Sequence, residues 1–460
     1  MNEPSQASSA AAKLPQGIGN IFIFNIFNVT SFAIVAGAPM LLYFKKLGAT
    51  ATVLSLVAAA TYVFNVLQIP AANYVERVGY RTFVLRGWST RTFFVLLMAC
   101  VAMIPNWMDA ATRMCLMLAL IFCYQTSRGI SVCGFLPWIT QLVPEKVRGR
   151  YISLDQTFIN GTNVVLMIAL ASYFCYFGEH RHFAPLFLAA FLSACVSLFF
   201  LKRTPDAPLP PSAASRQPVP WGAIFRHPPF QRLLIYDFIV HSAISAGLVF
   251  YIPFLKDVHG ASDSLILTLG VISSVVGIIC LVFFGKLLDR VGNRPFLSVS
   301  NLMLGAHFLG WCLVAAKILP LNWWTIIFLQ VTTGFGVSFF NMANTRLAMS
   351  IVPAMGRSHF FALFSVCINL TMGLVPILWG LAIDVLAPWQ WQWGFWNWNI
   401  YTLLYAVLGL TIAGAWMALG ELKDAPSMST EEFIEELFIK TPARAISRLW
   451  KRRPVHSPQI

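Results

Sequence analysis

The chain has 460 residues, 58% of them hydrophobic and only 11% charged, with a formal net charge of +14. A mean hydropathy of +0.69 with so little charge excludes an ordinary soluble domain, in which about 25% of residues are charged. Apolar runs of about 20 residues recur from end to end, each long enough to cross a hydrocarbon core roughly 30 Å thick. The expected fold class is therefore an all-α polytopic membrane protein.

Residues 1–17 are polar, carry Lys13 and lack a cleavage-site pattern, so they read as a retained segment and not a removable signal. Twelve spans follow, expected near 18–43, 50–73, 82–104, 113–139, 152–177, 184–201, 232–255, 263–285, 295–318, 323–350, 359–386 and 400–420. With the N-terminus inside, 25 of the 32 Lys and Arg fall on inner segments, four of them around 77–91, and six on outer loops; Arg128 alone is placed within a span. That bias puts both termini in the cytoplasm. It also accounts for the net charge without a nucleic-acid partner. The plasma membrane, of the bacterial inner-membrane kind, is the expected location.

The spans divide six and six. Residues 18–201 form one bundle and 232–420 the other, joined by the Pro-rich inner linker 202–231. In the tail, 421–460, "STEEFIEELF" (429–438) starts with a helix-capping pattern. A basic run through "RLWKRR" (448–453) suits either solvent or an anionic membrane surface. The nine cysteines lie in or near spans with no Cys-x-x-Cys pair, and the eight histidines show no metal-ligand spacing, so no cofactor is expected. Five Trp in "WQWQWGFWNW" (389–398) read as an interfacial aromatic belt, with ligand stacking the lesser reading.

Two inner loops repeat. A shift of 213 lays Glu76-Arg77-Val78-Gly79 on Asp289-Arg290-Val291-Gly292, and Arg81 on Arg294. A shift of 209 lays Val143-Pro144 on Val352-Pro353, Arg148 on Arg357 and Asn160 on Asn369. The chain is thus an internal duplication, and six spans per copy make the repeats parallel about an axis along the membrane normal.

"GKLLDRVGNRPFL" (285–297) resembles the signature loop of the major facilitator superfamily, Gly-x-Leu-Ala-Asp-Arg-x-Gly-Arg-Lys-x-x-Leu. Gly285, Leu287, Asp289, Arg290, Gly292, Arg294 and Leu297 match, while Leu288 and Asn293 depart. The copy at 72–81 is looser, with Ala72, Glu76 and Tyr80 in place of the Gly, the Asp and the first basic residue. The resemblance extends to the span number, the central linker and the duplicated loops. It implies two rocking bundles, a cavity lined by spans 1, 4, 7 and 10, and secondary transport of a small solute by a monomer. Gly285, Asp289, Arg290, Gly292 and Arg294, with Glu76, Arg77, Gly79 and Arg81, are then gating residues that bias which side is open.

Polar groups inside spans are expensive and mark candidate sites. Span 4 carries Gln125 and Arg128, the latter about 21 Å of helix beyond Met114. Its counterpart in the second half is Val337, so the duplication does not demand it. Span 7 carries Asp237 and His241, four apart on one helix face. Asn25 and Asn28 in span 1 and Gln330 and Asn341 in span 10 complete the candidates; His307 in span 9 is expected to be peripheral. A cavity with an Arg, an Asp–His pair and amides suits a polar, anionic or sugar-like solute. Protons are the expected coupling ion, with an Arg128–Asp237 contact formed in one state and broken in the other. The competing readings are a membrane enzyme of lipid-linked chemistry and a transport-inactive sensor or scaffold.

Overall fold

The computed structural model describes residues 15, 17–103, 108–177, 183–206, 226–351, 357–394 and 396–422. Most of the linker and the whole of the 429–438 and 448–453 segments lie outside the described residues. Among the described residues, twelve helical spans are long and apolar enough to cross a membrane. Spans 1–6 are Gly19–Lys46, Ala51–Ala71, Tyr80–Met103, Ala110–Ile139, Leu154–Phe177 and Phe183–Lys202. Spans 7–12 are Pro228–His259, Asp263–Phe284, Asn293–Ala315, Trp323–Ala348, Leu363–Leu386 and Ile400–Glu421.

The two halves are built alike. In the first, span 1 packs on spans 5 and 6, span 3 on spans 4 and 6, and span 2 on span 4. The second repeats this with spans 7, 11 and 12, spans 9, 10 and 12, and spans 8 and 10. The duplicated loops have matching geometry as well. Gly79 (φ 87°) and Gly292 (φ 95°) both lie at positive φ, a conformation that costs a side-chain-bearing residue about 1–3 kcal/mol. Two residues later, Arg81 Nη2 donates to the Lys202 carbonyl at 2.6 Å and Arg294 Nη2 to the Gly420 carbonyl at 3.5 Å. Each arginine thus caps the C-terminal end of the last helix of its own half, where free carbonyls and the negative dipole end favour a cation.

Two spans are broken where the sequence carries proline. Span 1 divides at Gly37 into Gly19–Ala36 and Ala38–Lys46, with Pro39 opening the second piece. A Cβ on Gly37 would come within 2.3 Å of the Ala33 carbonyl. Span 2 runs as a helix over Ala51–Val63, tightens to a 3₁₀ turn over Phe64–Leu67 and resumes at Gln68–Val78. Pro70 has no N–H for the preceding turn, which tightens in response.

The halves meet through span 2 against span 11 and span 5 against span 8. Several described cross-half bonds lie on the side that bears Lys45. Lys45 Nζ pairs with Asp257 at 2.7 Å. The Asp384 carboxylate accepts from the Ala51 and Thr52 amides, both at 2.9 Å, at the N-terminus of span 2. Ser264 Oγ donates to the Ala171 carbonyl at 3.0 Å. Gly380 lets the helices touch, since a Cβ there would lie 2.5 Å from Ser55 Oγ and 2.9 Å from the Ala51 carbonyl. Deeper in, Asn65 Nδ2 donates to Asn369 Oδ1 at 3.1 Å. On the same side Asp109 caps span 4, and its bonds to Thr112 hold its carboxyl below the usual range.

The Trp-rich segment is a hairpin. β1 (Gln390–Trp393) pairs antiparallel with β2 (Trp396–Asn399), setting Trp391 opposite Trp398 and Trp393 opposite Trp396. Trp alternates with Gln or Asn on both strands, so the indoles share one face. Neighbouring indoles on each strand stack with centroids 6.1 and 5.9 Å apart. Asn399 closes the hairpin by capping span 12 through the Tyr401 and Thr402 amides.

Candidate functional site

Arg128 sits against the break in span 2. Its Nη1 donates to the Thr61 carbonyl at 3.3 Å and to Asn65 Oδ1 at 2.9 Å, and its guanidinium lies 4.7 Å from the Phe32 ring centroid. Span 4 reaches this turn because Gly129 follows: a Cβ there would fall 1.9 Å from the Phe64 carbonyl. Gln125, one turn earlier and buried, donates to Thr61 Oγ1 at 2.9 Å. Every described partner of Arg128 is neutral, so its charge is solvated by dipoles and a ring without an opposing carboxylate. Through Asn65 and Asn369 the guanidinium is linked across to the second half.

A second cation lies close by. Arg91 is 5% exposed and about 16 Å of helix past Tyr80, well within span 3 and not on an inner loop where the charge count placed it. Its Nη2 donates to Asn28 Oδ1 at 3.0 Å and to the Tyr124 hydroxyl at 3.3 Å. The guanidinium stacks over Trp88 at 4.5 Å and Tyr124 at 5.3 Å, and its Nε has no partner among the described residues. Asn28 also accepts from Trp88 Nε1 at 3.3 Å, so it serves as the acceptor that holds this cluster together. The first half therefore holds one buried arginine, Arg91, and one half-buried, Arg128, each among neutral described partners.

The second half buries the acid. Asp237 is 1% exposed, with one oxygen 3.4 Å from His241 Nδ1 and accepting from Asn344 Nδ2 at 2.6 Å. His241 Nδ1 also approaches the Asp237 carbonyl at 2.9 Å, as the four-residue spacing allows. Among the described residues Asp237 Oδ2 has no partner. Asp237 lines a cleft of about 370 Å³ between spans 7 and 11 with Cys367 and Thr371. The expected contact between Asp237 and Arg128 is not made in this state, because each is held by its own half.

The remaining candidates divide. Asn25 Nδ2 donates to Asp155 Oδ1 at 2.5 Å, an interhelical bond between spans 1 and 5. Gln330 is buried and faces a cavity shared with His307. Asn341 is exposed, and Asn344, three residues on, is the span 10 amide that meets Asp237. His307 is buried and lines a cavity, contrary to its expected peripheral place. Among the gating candidates, Arg77 is exposed and stacks on Tyr74 at 5.8 Å. The side chains of Glu76, Asp289 and Arg290, and the surroundings of Gly285, lie outside the described residues. The signal that could have found Arg91 is its depth in an otherwise apolar run.

Comparison with known proteins bears on this arrangement. The sequence profile of the Major Facilitator Superfamily matches residues 21–320 and 261–455. A mutant of the nucleoside transporter NupG superposes with a TM-score of 0.69 at 11% identity, covering 88% of this chain and 100% of that one. A D-xylose-proton symporter superposes at 0.68 and 14% identity, covering 90% and 98%. The inward-open xylose transporter XylE from E. coli gives 0.62 at 13% identity, covering 90% and 97%. No curated protein matches the chain in sequence. At these identities the structural likeness is one of fold.

Proposed function

The chain belongs to the Major Facilitator Superfamily, and from that premise we propose that it is a secondary active transporter of a small organic anion. The observation that carries this reading is Arg128, a guanidinium deep in span 4 whose described partners are all neutral. An uncompensated charge at that depth is costly and is retained where it meets a charged ligand. A carboxylate or phosphate would supply the missing countercharge in bidentate form. Arg91, stacked between Trp88 and Tyr124, raises the local positive potential and fixes Asn28.

The positive-inside bias makes the Lys45 side the outer one. The Asp384 cap, the Lys45–Asp257 pair and the Gly380 contact then form an outer gate, and the state described is closed outward. Rocking the bundles would break these contacts and open the site to the other side. Asp237 is the proposed proton site. Its Oδ2 has no partner among the described residues, and Asn344 and His241 hold the rest of the carboxyl in place. Asn65 and Asn369 join the Arg128 site to span 11, which also borders Asp237, so span 11 meets Asp237 directly and Arg128 through Asn65.

The test is uptake into proteoliposomes of a panel of mono- and dicarboxylates, phosphate esters, neutral sugars and organic cations. Gradient-dependent flux of an anion, lost in Arg128→Gln, supports the reading. Flux confined to cations, or no flux of any panel member, would overturn it.

A further inference from the structure

Apart from the Arg128 site, spans 2, 3 and 4 enclose a groove of about 620 Å³ on the surface of the first half. Cys123, Thr126 and Ile130 of span 4 line it, whereas Gln125 and Arg128 of the same helix turn toward Thr61. Its floor is closed by direct helix contact. A Cβ on Gly87 would fall 2.1 Å from Ser131 Cβ, and Ser127 Oγ donates to the Gly87 carbonyl at 3.0 Å. Ser131 Oγ donates to the Ser127 carbonyl at 2.8 Å, so the hydroxyls of the floor are bonded within the protein. Tyr74 and Val78 of span 2 and Phe94 of span 3 make the rest of the wall largely apolar.

The groove is charged at one end. Arg86 lines it, and among the described residues no acidic side chain does. Span 3 has 24 residues, about 36 Å of helix, and so overhangs a hydrocarbon core of roughly 30 Å by about 3 Å at each end. Arg86 is exposed and lies about 9 Å of helix past Tyr80, hence about 6 Å inside that core. A guanidinium facing lipid at that depth is costly, and its long stem lets it turn back toward the headgroups. At the same rim Tyr74 holds Arg77, also exposed, over its ring at 5.8 Å. From Phe83 to Phe94 the groove follows span 3 for about 16 Å. One leaflet contributes roughly 15 Å to the core, so the groove is one leaflet deep.

We infer that this groove binds an anionic phospholipid of the inner leaflet, with its phosphate on Arg86 and one acyl chain laid toward Phe94. With the Lys45 side outward, the Arg86 rim is the inner one, where anionic lipid is met and where basic pockets between spans take lipid headgroups. The two rim cations match the charge of the headgroup, and the apolar length beyond them matches a single chain. A lipid without net charge would leave Arg86 uncompensated, and a soluble anion would leave the apolar length uncovered. The site lies on the lipid-facing surface, and the anion reading of Arg128 is not a premise of it.

Native mass spectrometry of the purified full chain, titrated with phosphatidylglycerol or with phosphatidylcholine of the same chains, tests the site. Wild type should hold its first phosphatidylglycerol about fivefold more tightly than Arg86→Gln does, the effect of one cation at a membrane surface. Phosphatidylcholine should bind the two alike. Ile130→Trp, at an exposed position, should weaken phosphatidylglycerol by filling the apolar length with Arg86 still in place. Inorganic phosphate at constant ionic strength should displace no lipid. Equal binding of the two lipids to wild type would overturn the inference, as would a preference for phosphatidylglycerol unchanged in Arg86→Gln or in Ile130→Trp. A parallel loss of phosphatidylcholine in Arg86→Gln would overturn it by removing the part played by charge. Displacement by inorganic phosphate would also overturn it, by assigning Arg86 to a soluble anion.

Discussion

Removing the Asp384 carboxylate should loosen the outer gate by an amount set by its two amide bonds. In this state it accepts from Ala51 and Thr52 at 2.9 Å each, across the interface between halves. A side-chain cap on a helix N-terminus contributes about 0.5–2 kcal/mol, and a carboxylate adds a favourable interaction with the dipole. Asp384 is exposed, so screening holds the effect to the middle of that range, about 1 kcal/mol. These bonds span the halves, so they stabilise only the state that is closed on the Lys45 side. Asp384→Ala should therefore move the closed-to-open ratio toward open by roughly fivefold at RT ≈ 0.59 kcal/mol. Gly380→Val should move it further, because its Cβ would overlap Ser55 and the Ala51 carbonyl. Spin labels at positions 111 and 318, on the outer ends of the two halves in a cysteine-free background, would report the populations by distance distributions. Distributions unchanged in both variants would refute the gate.

Gly129→Ala should lower Tm and abolish flux, since the added methyl would meet the Phe64 carbonyl at 1.9 Å; overpacking of this kind costs about 1–3 kcal/mol or more. Gly134→Ala, whose nearest contact is Val84 at 3.1 Å, should be the milder variant in the same melting assay. Gly292→Val should strain a positive φ by about 1–3 kcal/mol and slow turnover more than it weakens solute binding, which stopped-flow uptake and equilibrium binding would separate. Asp237→Asn should abolish uphill accumulation driven by a pH gradient while leaving counterflow exchange; accumulation with an unchanged pH profile would move the proton site elsewhere.

Span placement was legible because a bilayer permits little else than a long apolar helix, and observed bounds agree with the expected ones within a few residues. The duplication was legible in the loops because Gly79 and Gly292 hold a backbone conformation that other residues resist. What those loops do was less plain. Arg81 and Arg294 resemble gate residues in sequence, yet each caps a helix of its own half. Arg91 was misplaced because it continues the spacing of Arg77, Arg81 and Arg86, and only helix length shows that it is deep in a span. Asn344 in place of Asn341 is a matter of one helical turn, which hydropathy does not resolve. The break in span 2 that receives Arg128 needed Pro70 to be set against Gly129 of another span, a tertiary relation. The Trp hairpin was within reach, since strict alternation of Trp with Gln or Asn is a strand pattern.

Counterflow uptake of the best anion from the panel, at fixed pH in wild type, Arg128→Lys and Arg128→Gln, tests the role of Arg128 most directly. Truncating one partner of a buried charge pair costs about 2–5 kcal/mol, which is roughly 30-fold or more in affinity. The expected result is a loss of at least that size in Arg128→Gln, with partial recovery in Arg128→Lys. A concentration dependence in Arg128→Gln indistinguishable from that of wild type would contradict an anion site at Arg128.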